Sequence, residues 1–260
     1  MEIQKQFLKD EKWRITMNNL GLITITHDPN GRYINLFIKH ITYITELYEE
    51  IYLTISNQSS KEWEEALKVE PSLNFKTIPK KGTAHARREA VKFGLSGKCD
   101  YFHYIDLDRL LTWCDRYPEE LRGIIGKIPG HPYTILGRTE RAFLTHPEEW
   151  VETERITNKI CSLELRKEVD ITAGSSSFSR ECASRITSNS KSDMTDAEWP
   201  MIVYRIMKQP IHYIEVEGLE YWEATNSVTR EVSEGEEWVG RLKLALIISE
   251  SAITTGKAEA

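Results

Sequence analysis

Asp106 and Asp108 stand one residue apart at the end of the apolar, aromatic run Tyr101-Phe102-His103-Tyr104-Ile105. A strand that ends between them and turns brings both carboxylates to one point. Beside a buried strand each carboxylate carries a desolvation cost unless a cation or hydrogen bonds offset it. Hard oxygen ligands of this kind suit Mg²⁺ or Mn²⁺, which need only one or two protein carboxylates when phosphate oxygens complete the shell. The chemistry suggested is a divalent cation shared with a phosphate-bearing ligand.

The elements that must position this pair are legible from periodicity. Gly21 to His27 alternates β-branched and apolar residues and stops at the turn signal Asp28-Pro29-Asn30-Gly31, which predicts a strand ending in a loop. From Arg32 to Tyr48 the apolar residues follow helical spacing, and Glu49 to Gln58 reads as a second strand. Ser59-Ser60-Lys61-Glu62 has the form of a capping box opening a short helix through Lys68. Asn74 to Pro79 fits a third strand, a helix runs from Gly82 to a stop at Gly97, and the segment from Tyr101 to Asp108 is the fourth strand. Strands alternating with helices predict an α/β fold with a mostly parallel sheet flanked by helices, whose ligands sit at the carboxyl ends of the strands. The aspartates fall at such an end.

Further on, Pro132 to Phe143 suggests a strand, and Thr145-His146-Pro147-Glu148 another capping box, opening a helix to about Leu165. Asp170 to Ser179 reads as a strand ending in small hydroxyl residues, and a helix spans about Trp199 to Met207 with Pro200 as its first residue. The strand Ile211 to Ala224 and an amphipathic helix from Glu236 to Ser251 follow, and the last residues, Thr254 to Ala260, read as a disordered tail.

At 260 residues the chain is long enough to fold on its own core. Its net charge of −6 is well mixed, which argues against bulk nucleic acid or an anionic membrane as partner. The four cysteines lie far apart without a C-x-x-C pair, so neither a zinc knuckle nor a redox dithiol is expected, and a reducing cytoplasm is the simplest location. The charged amino terminus lacks the apolar run of a signal peptide, and nowhere do 18 uncharged apolar residues follow one another.

Read backward from the aspartates, Lys81 to Arg109 resembles the segment of GT-A nucleotide-sugar glycosyltransferases (family 2-like) that runs G-x-x-x-A-R-N, helix, strand, D-x-D. The glycine is Gly82, the Ala-Arg pair is Ala86-Arg87, the third position is Arg88 instead of asparagine, and the aspartates are Asp106 and Asp108. The segment around Gly174 and that from Met194 to Arg205 agree more loosely, so the resemblance covers about residues 20 to 225. It implies a single GT-A domain over 1–260, with a nucleotide-sugar half at about 20–113 and a smaller acceptor half at about 114–225; the amphipathic C-terminal helix at 236–252, beyond the resemblance, reads as covering the sheet or making a homodimer face.

The resemblance further implies a metal-dependent transfer of a sugar from a UDP- or GDP-sugar to a small-molecule or glycan acceptor, with inversion. Asp108 would hold Mn²⁺ or Mg²⁺, Asp106 would share the metal or lie near the ribose, and His212 would complete the metal shell. Thr26, Asp28, Ser56, Asn57, Gly82 and Arg87 would border the nucleotide. The base taking the acceptor proton would be Asp196 or Glu198, Asp196 being favoured and Glu198 having an alternative capping job. Trp199 stacks on a sugar or fills the core, and His103 reads as a satisfied core residue. The usual Pro-x-x-Asn of the first strand and an acidic residue after the second are missing, which leaves the base of the nucleotide open. The Q-x-x-R-W signature of processive synthases is also absent, which favours single transfers.

Other readings remain. The haloacid dehalogenase phosphatases also carry an apolar D-x-D, whose first aspartate is a nucleophile. Here Arg109-Leu110 replaces their Gly-Thr, and the pair follows the fourth strand instead of the first. A sugar-nucleotide pyrophosphorylase would need a glycine-rich loop that the first turn lacks. A non-catalytic nucleotide-binding protein on the same fold is the third.

Overall fold

The computed structural model describes residues 19–68, 70, 72–227 and 232–257. The charged amino-terminal segment before Asn19 and the last three residues of the expected tail lie outside them. Seven strands form one sheet in the order β3-β2-β1-β4-β6-β5-β7. They are β1 (Leu20–Thr26), β2 (Glu50–Ser56), β3 (Leu73–Ile78), β4 (Tyr101–Asp106), β5 (Tyr133–Arg138), β6 (Ser175–Ser179) and β7 (Ile211–Val216). β3, β2, β1 and β4 are mutually parallel, β6 runs antiparallel between β4 and β5, and β5 pairs parallel with β7. The expected mostly parallel sheet is therefore present.

The helices are α1 (Ile34–Leu47), α2 (Glu62–Leu67), α3 (Thr83–Gly94), α4 (Leu107–Arg116), α5 (Pro118–Ile125), α6 (Glu140–Phe143), α7 (Glu148–Leu165), α8 (Arg180–Asn189), α9 (Glu198–Met201), α10 (Glu223–Asn226) and α11 (Glu234–Thr254). Alternation along each strand feeds two cores. Leu20, Leu22, Leu53 and Ile105 face α1, α2, α4 and α5. Ile23, Phe102, Tyr104 and Ile135 face α3, α7, α8 and α11. β1 and β4 are covered on both sides, which is why they are near-continuous apolar runs. Cys99, Cys114, Cys161 and Cys182 are all buried and free. Among the described residues no helix is long and apolar enough to cross a membrane.

Several local expectations change. Neither expected capping box forms. Ser59 and Ser60 instead tie down the loop before α2, the Ser59 Oγ accepting from the Asp28 N–H at 3.0 Å and the Ser60 N–H donating to the Asp28 carbonyl at 2.8 Å. Thr145 donates to the Ala142 carbonyl at 2.7 Å and accepts from the Tyr221 N–H at 2.7 Å, and α7 starts after Pro147 without a side-chain cap. A reciprocal capping box does form at Ser233 and Glu236, and α11 extends beyond both expected ends, taking in Thr254 from the expected tail. Pro200 is the third residue of α9, tolerated because first-turn N–H groups have no intrahelical acceptor. The helix then widens into a π-helical turn at Ile202–Ile206.

Candidate active site

β4 passes into α4 without an intervening residue: Asp106 ends the strand and Leu107 begins the helix. Asp108 thus lies in the first helical turn, where the positive end of the helix dipole favours a carboxylate. Both aspartates line a cleft of about 320 Å³ at the carboxyl ends of the strands, near the lower end of the range of about 300–1,000 Å³ usual for ligand sites. Its floor holds Arg87, Gly174 and Asp196, and its walls come from Trp150 and Glu154 of α7 and from Arg241, Leu244 and Ile248 of α11.

One arginine organises the floor. Arg87, buried on α3, donates from Nη2 to Asp106 Oδ2 at 2.8 Å and from Nη1 to Asp196 Oδ2 at 2.7 Å, with Thr195 Oγ1 at 3.2 Å. Burial alone would push this guanidinium down, but the two carboxylates more than offset it and hold it well above its usual value. The other Asp106 oxygen accepts from the Tyr104 hydroxyl, whose own ionisation is pushed far up, chiefly by burial. Gly174 closes this cluster in a left-handed conformation, φ +73°, where a Cβ would come within 3.1 Å of Asp106 Oδ2. Its carbonyl accepts the Asp106 N–H at 3.2 Å.

Asp108 has a different neighbourhood. Its Oδ2 accepts from Asn226 Nδ2 at 2.9 Å, and Asn226 is itself fixed by the Thr112 hydroxyl at 3.2 Å and the Trp222 N–H at 2.8 Å. Oδ1 of Asp108 has no hydrogen bond among the described residues, and the residue lines the cleft. Tyr33 stands close enough that Asp108, after burial, helps push its hydroxyl up to about 12. Arg109 follows, with Nη1 3.1 Å from His146 Nε2. His146 is driven far down by burial and by Arg109, and so stays neutral.

No cluster of three His, Cys, Asp or Glu side chains able to hold a metal occurs among the described residues. A metal here would have to take most of its ligands from elsewhere, as a divalent cation bound to phosphate does. His212 does not join it. It opens β7 opposite Thr134 and stacks on His131 at 3.5 Å. That place is three strands and three residue levels from Asp106, roughly 17 Å by strand spacing and rise.

The remaining expected residues divide. Thr26 and Ser56 end β1 and β2, and Gly82 precedes α3 at φ +88°, so all three stand at the carboxyl edge of the sheet. Asn57 ties two loops together, its Oδ1 accepting from the Lys80 N–H at 3.1 Å. Asp28 is turned inward. Its carboxylate accepts from the Arg32 and Tyr33 N–H groups at 2.9 and 3.0 Å and from Trp63 Nε1 at 3.1 Å, so it holds the first loop and offers nothing to a nucleotide. Arg87 is spent bridging carboxylates, which makes it a positioning residue for the floor. Glu198 is buried, with Oε1 accepting from the Lys191 and Ser192 N–H groups at 2.5 and 2.7 Å and Oε2 from Ser190, so it is the structural clamp of that loop. Trp199 packs edge-on against Tyr104 and Phe178 in the core, and His103 is a core residue bridging Tyr48 and Ser175. Asn226, Tyr33, Trp150 and the α11 wall escaped sequence reasoning, since none carries a local signal that ties it to Asp108.

The fold is that of GT-A nucleotide-sugar glycosyltransferases. Glucosyl-3-phosphoglycerate synthase from Mycobacterium tuberculosis, solved with Mn²⁺, UDP-glucose and glycerol 3-phosphate, superposes with a TM-score of 0.62 at 12% identity, over 95% of this chain and 85% of that one. The same enzyme with UDP gives 0.61 at 12% identity, over 96% and 85%. Mannosyl-3-phosphoglycerate synthase from Rubrobacter xylanophilus gives 0.56 at 13% identity, over 93% and 75%. No protein-family model and no curated protein sequence matches the chain.

Proposed function

We propose that this chain is a glycosyltransferase that moves a sugar from a nucleoside diphosphate sugar, UDP-sugar first among the candidates, to an acceptor hydroxyl. The observation that carries the reading is the junction of β4 and α4, which presents Asp106 and Asp108 to one cleft opposite Asp196, in a fold whose solved examples hold UDP-glucose and Mn²⁺. Residues 20–113 would hold the nucleotide and residues 114–225 most of the acceptor side, with α11 as an added wall.

Asp108 would hold Mn²⁺ or Mg²⁺ against the diphosphate. Such a metal neutralises the charge that grows on the departing nucleoside diphosphate. Asp106, fixed by Tyr104 and Arg87, keeps the floor rigid. Asp196 has Oδ2 pinned by Arg87 and no hydrogen bond on Oδ1 among the described residues, so Oδ1 is the oxygen offered to the acceptor proton in an inverting transfer. A phosphatase finds less support, because both oxygens of its would-be nucleophile Asp106 are taken up by Arg87 and Tyr104.

A thermal-shift panel of UDP, GDP, CDP and ADP, each with Mn²⁺ or chelator, tests the donor site. One diphosphate at ~100 times its dissociation constant adds about 2.7 kcal/mol, a shift of roughly 5–10 °C for a chain this size. Asp108→Asn should abolish that shift, and a panel with no shift removes the reading. Asp196→Asn should keep it while transfer falls roughly 10²–10⁴-fold. A product that retains the donor's configuration takes the base role from Asp196, and full binding without transfer to any acceptor favours a non-catalytic binder.

A further inference from the structure

The outer face of α11 carries Val239, Leu242, Leu246 and Ile253, exposed by 49, 51, 57 and 43% respectively. Their spacing of three, four and seven residues is that of a coiled-coil seam. The seam runs over four turns, roughly 21 Å by helical rise. It lies opposite the side of the same helix, at Leu244, Ala245 and Ile248, that lines the cleft. Exposed apolar residues at this regular helical spacing differ from scattered surface residues and mark a contact.

We infer that this stripe is an interface between two copies of the chain, with their α11 helices antiparallel. The flanking charges set the orientation. About the midpoint between Leu246 and Ile247, an antiparallel copy sets Lys243 against Glu250, both residues being exposed. A two-fold axis makes this pair occur twice, as an isologous contact requires. A parallel copy would set each charge against its own like. Pairing braces the helix that walls the acceptor side of the cleft, so the assembly and the site share one element.

Sedimentation velocity on the full chain from 1 to 100 µM tests this. A concentration-dependent dimer is expected, and Leu246→Glu should give a monomer with an unchanged far-ultraviolet circular-dichroism spectrum, because the side chain is exposed in the folded chain. Lys243→Glu and Glu250→Lys should each weaken the dimer roughly tenfold, and the double exchange should restore it. A wild type that stays monomeric at 100 µM, or a Leu246→Glu variant that stays dimeric, overturns the interface. A double exchange that fails to recover overturns the antiparallel register.

Discussion

Two buried arginines at the carboxyl ends of adjoining parts of the sheet solve the same electrostatic problem differently. Arg138, the last residue of β5, lies between Asp170 and Glu154, donating to Asp170 at 2.7 and 2.8 Å, to Glu154 at 2.7 Å and to Thr172 at 2.8 Å. Asn158 Nδ2 adds a further donor to Asp170 at 2.8 Å, and Arg241 reaches the other oxygen of Glu154. Arg87 also lies between two carboxylates, but Asp106 is about one quarter exposed and both acids border the cleft. In the first network both oxygens of Asp170 and both of Glu154 accept hydrogen bonds, whereas in the second Asp196 keeps Oδ1 without one among the described residues. Identical residue types thus serve as a structural lock where every carboxylate oxygen is bonded and as a site where one is left open.

The comparison can be broken at its strongest point by Arg138→Met, which strands two carboxylates in the interior. A loss of about 3–5 kcal/mol is expected, or roughly 10 °C in melting temperature for a chain of this size. A melt within 2 °C of wild type would show that the network is not a lock. Arg87→Met should cost less, about 1–3 kcal/mol, because Asp106 can be hydrated from the cleft. It should nevertheless remove the nucleotide-dependent shift, since the floor loses its alignment. Equal costs at the two arginines would erase the distinction.

Tyr104→Phe removes one donor from Asp106 and should cost about 1 kcal/mol, read as a shift of the urea midpoint. The effect that vanishes at neutral pH is the acid limb. Burial would raise the Asp170 carboxyl, but Arg138 outweighs it and leaves it below the usual aspartate value. A depressed folded value means that the stabilisation is complete above about pH 4, the ordinary aspartate range, and is lost as pH falls through the depressed value. Urea melts from pH 6 to 2 should therefore show a shallower acid limb in Asp170→Asn than in wild type. Superimposable slopes would mean that the fold does not favour the ionised Asp170.

What was legible in the sequence follows from range. The β-α-β order and the placement of Asp106 and Asp108 are local, written in alternation, helical spacing and turn residues within a few positions. The bridge from Arg87 to Asp196 spans 109 residues and that from Asp108 to Asn226 spans 118, and neither has a periodic signature. Asp28 misleads because an aspartate before Pro-Asn-Gly reads as an open turn, whereas Trp63 and two backbone amides draw it inward. His212 misleads because its residue type alone suggests a ligand, although its place at the start of a strand in a mostly parallel sheet already puts it at the end away from the site. Glu198 shows the limit of reading acids before a helix, since the same carboxylate that suits proton transfer suits three donors in a neighbouring loop.

The direct passage from β4 into α4 has a consequence for how the site tolerates change in chain length. Most ligand-binding carboxylates ride on loops, where an added or deleted residue is absorbed by slack. Here a single insertion after Asp106 would swing Asp108 by about 100° around the helix axis and carry its carboxylate away from the cleft. The spacing of the two aspartates is therefore a ruler set by secondary structure.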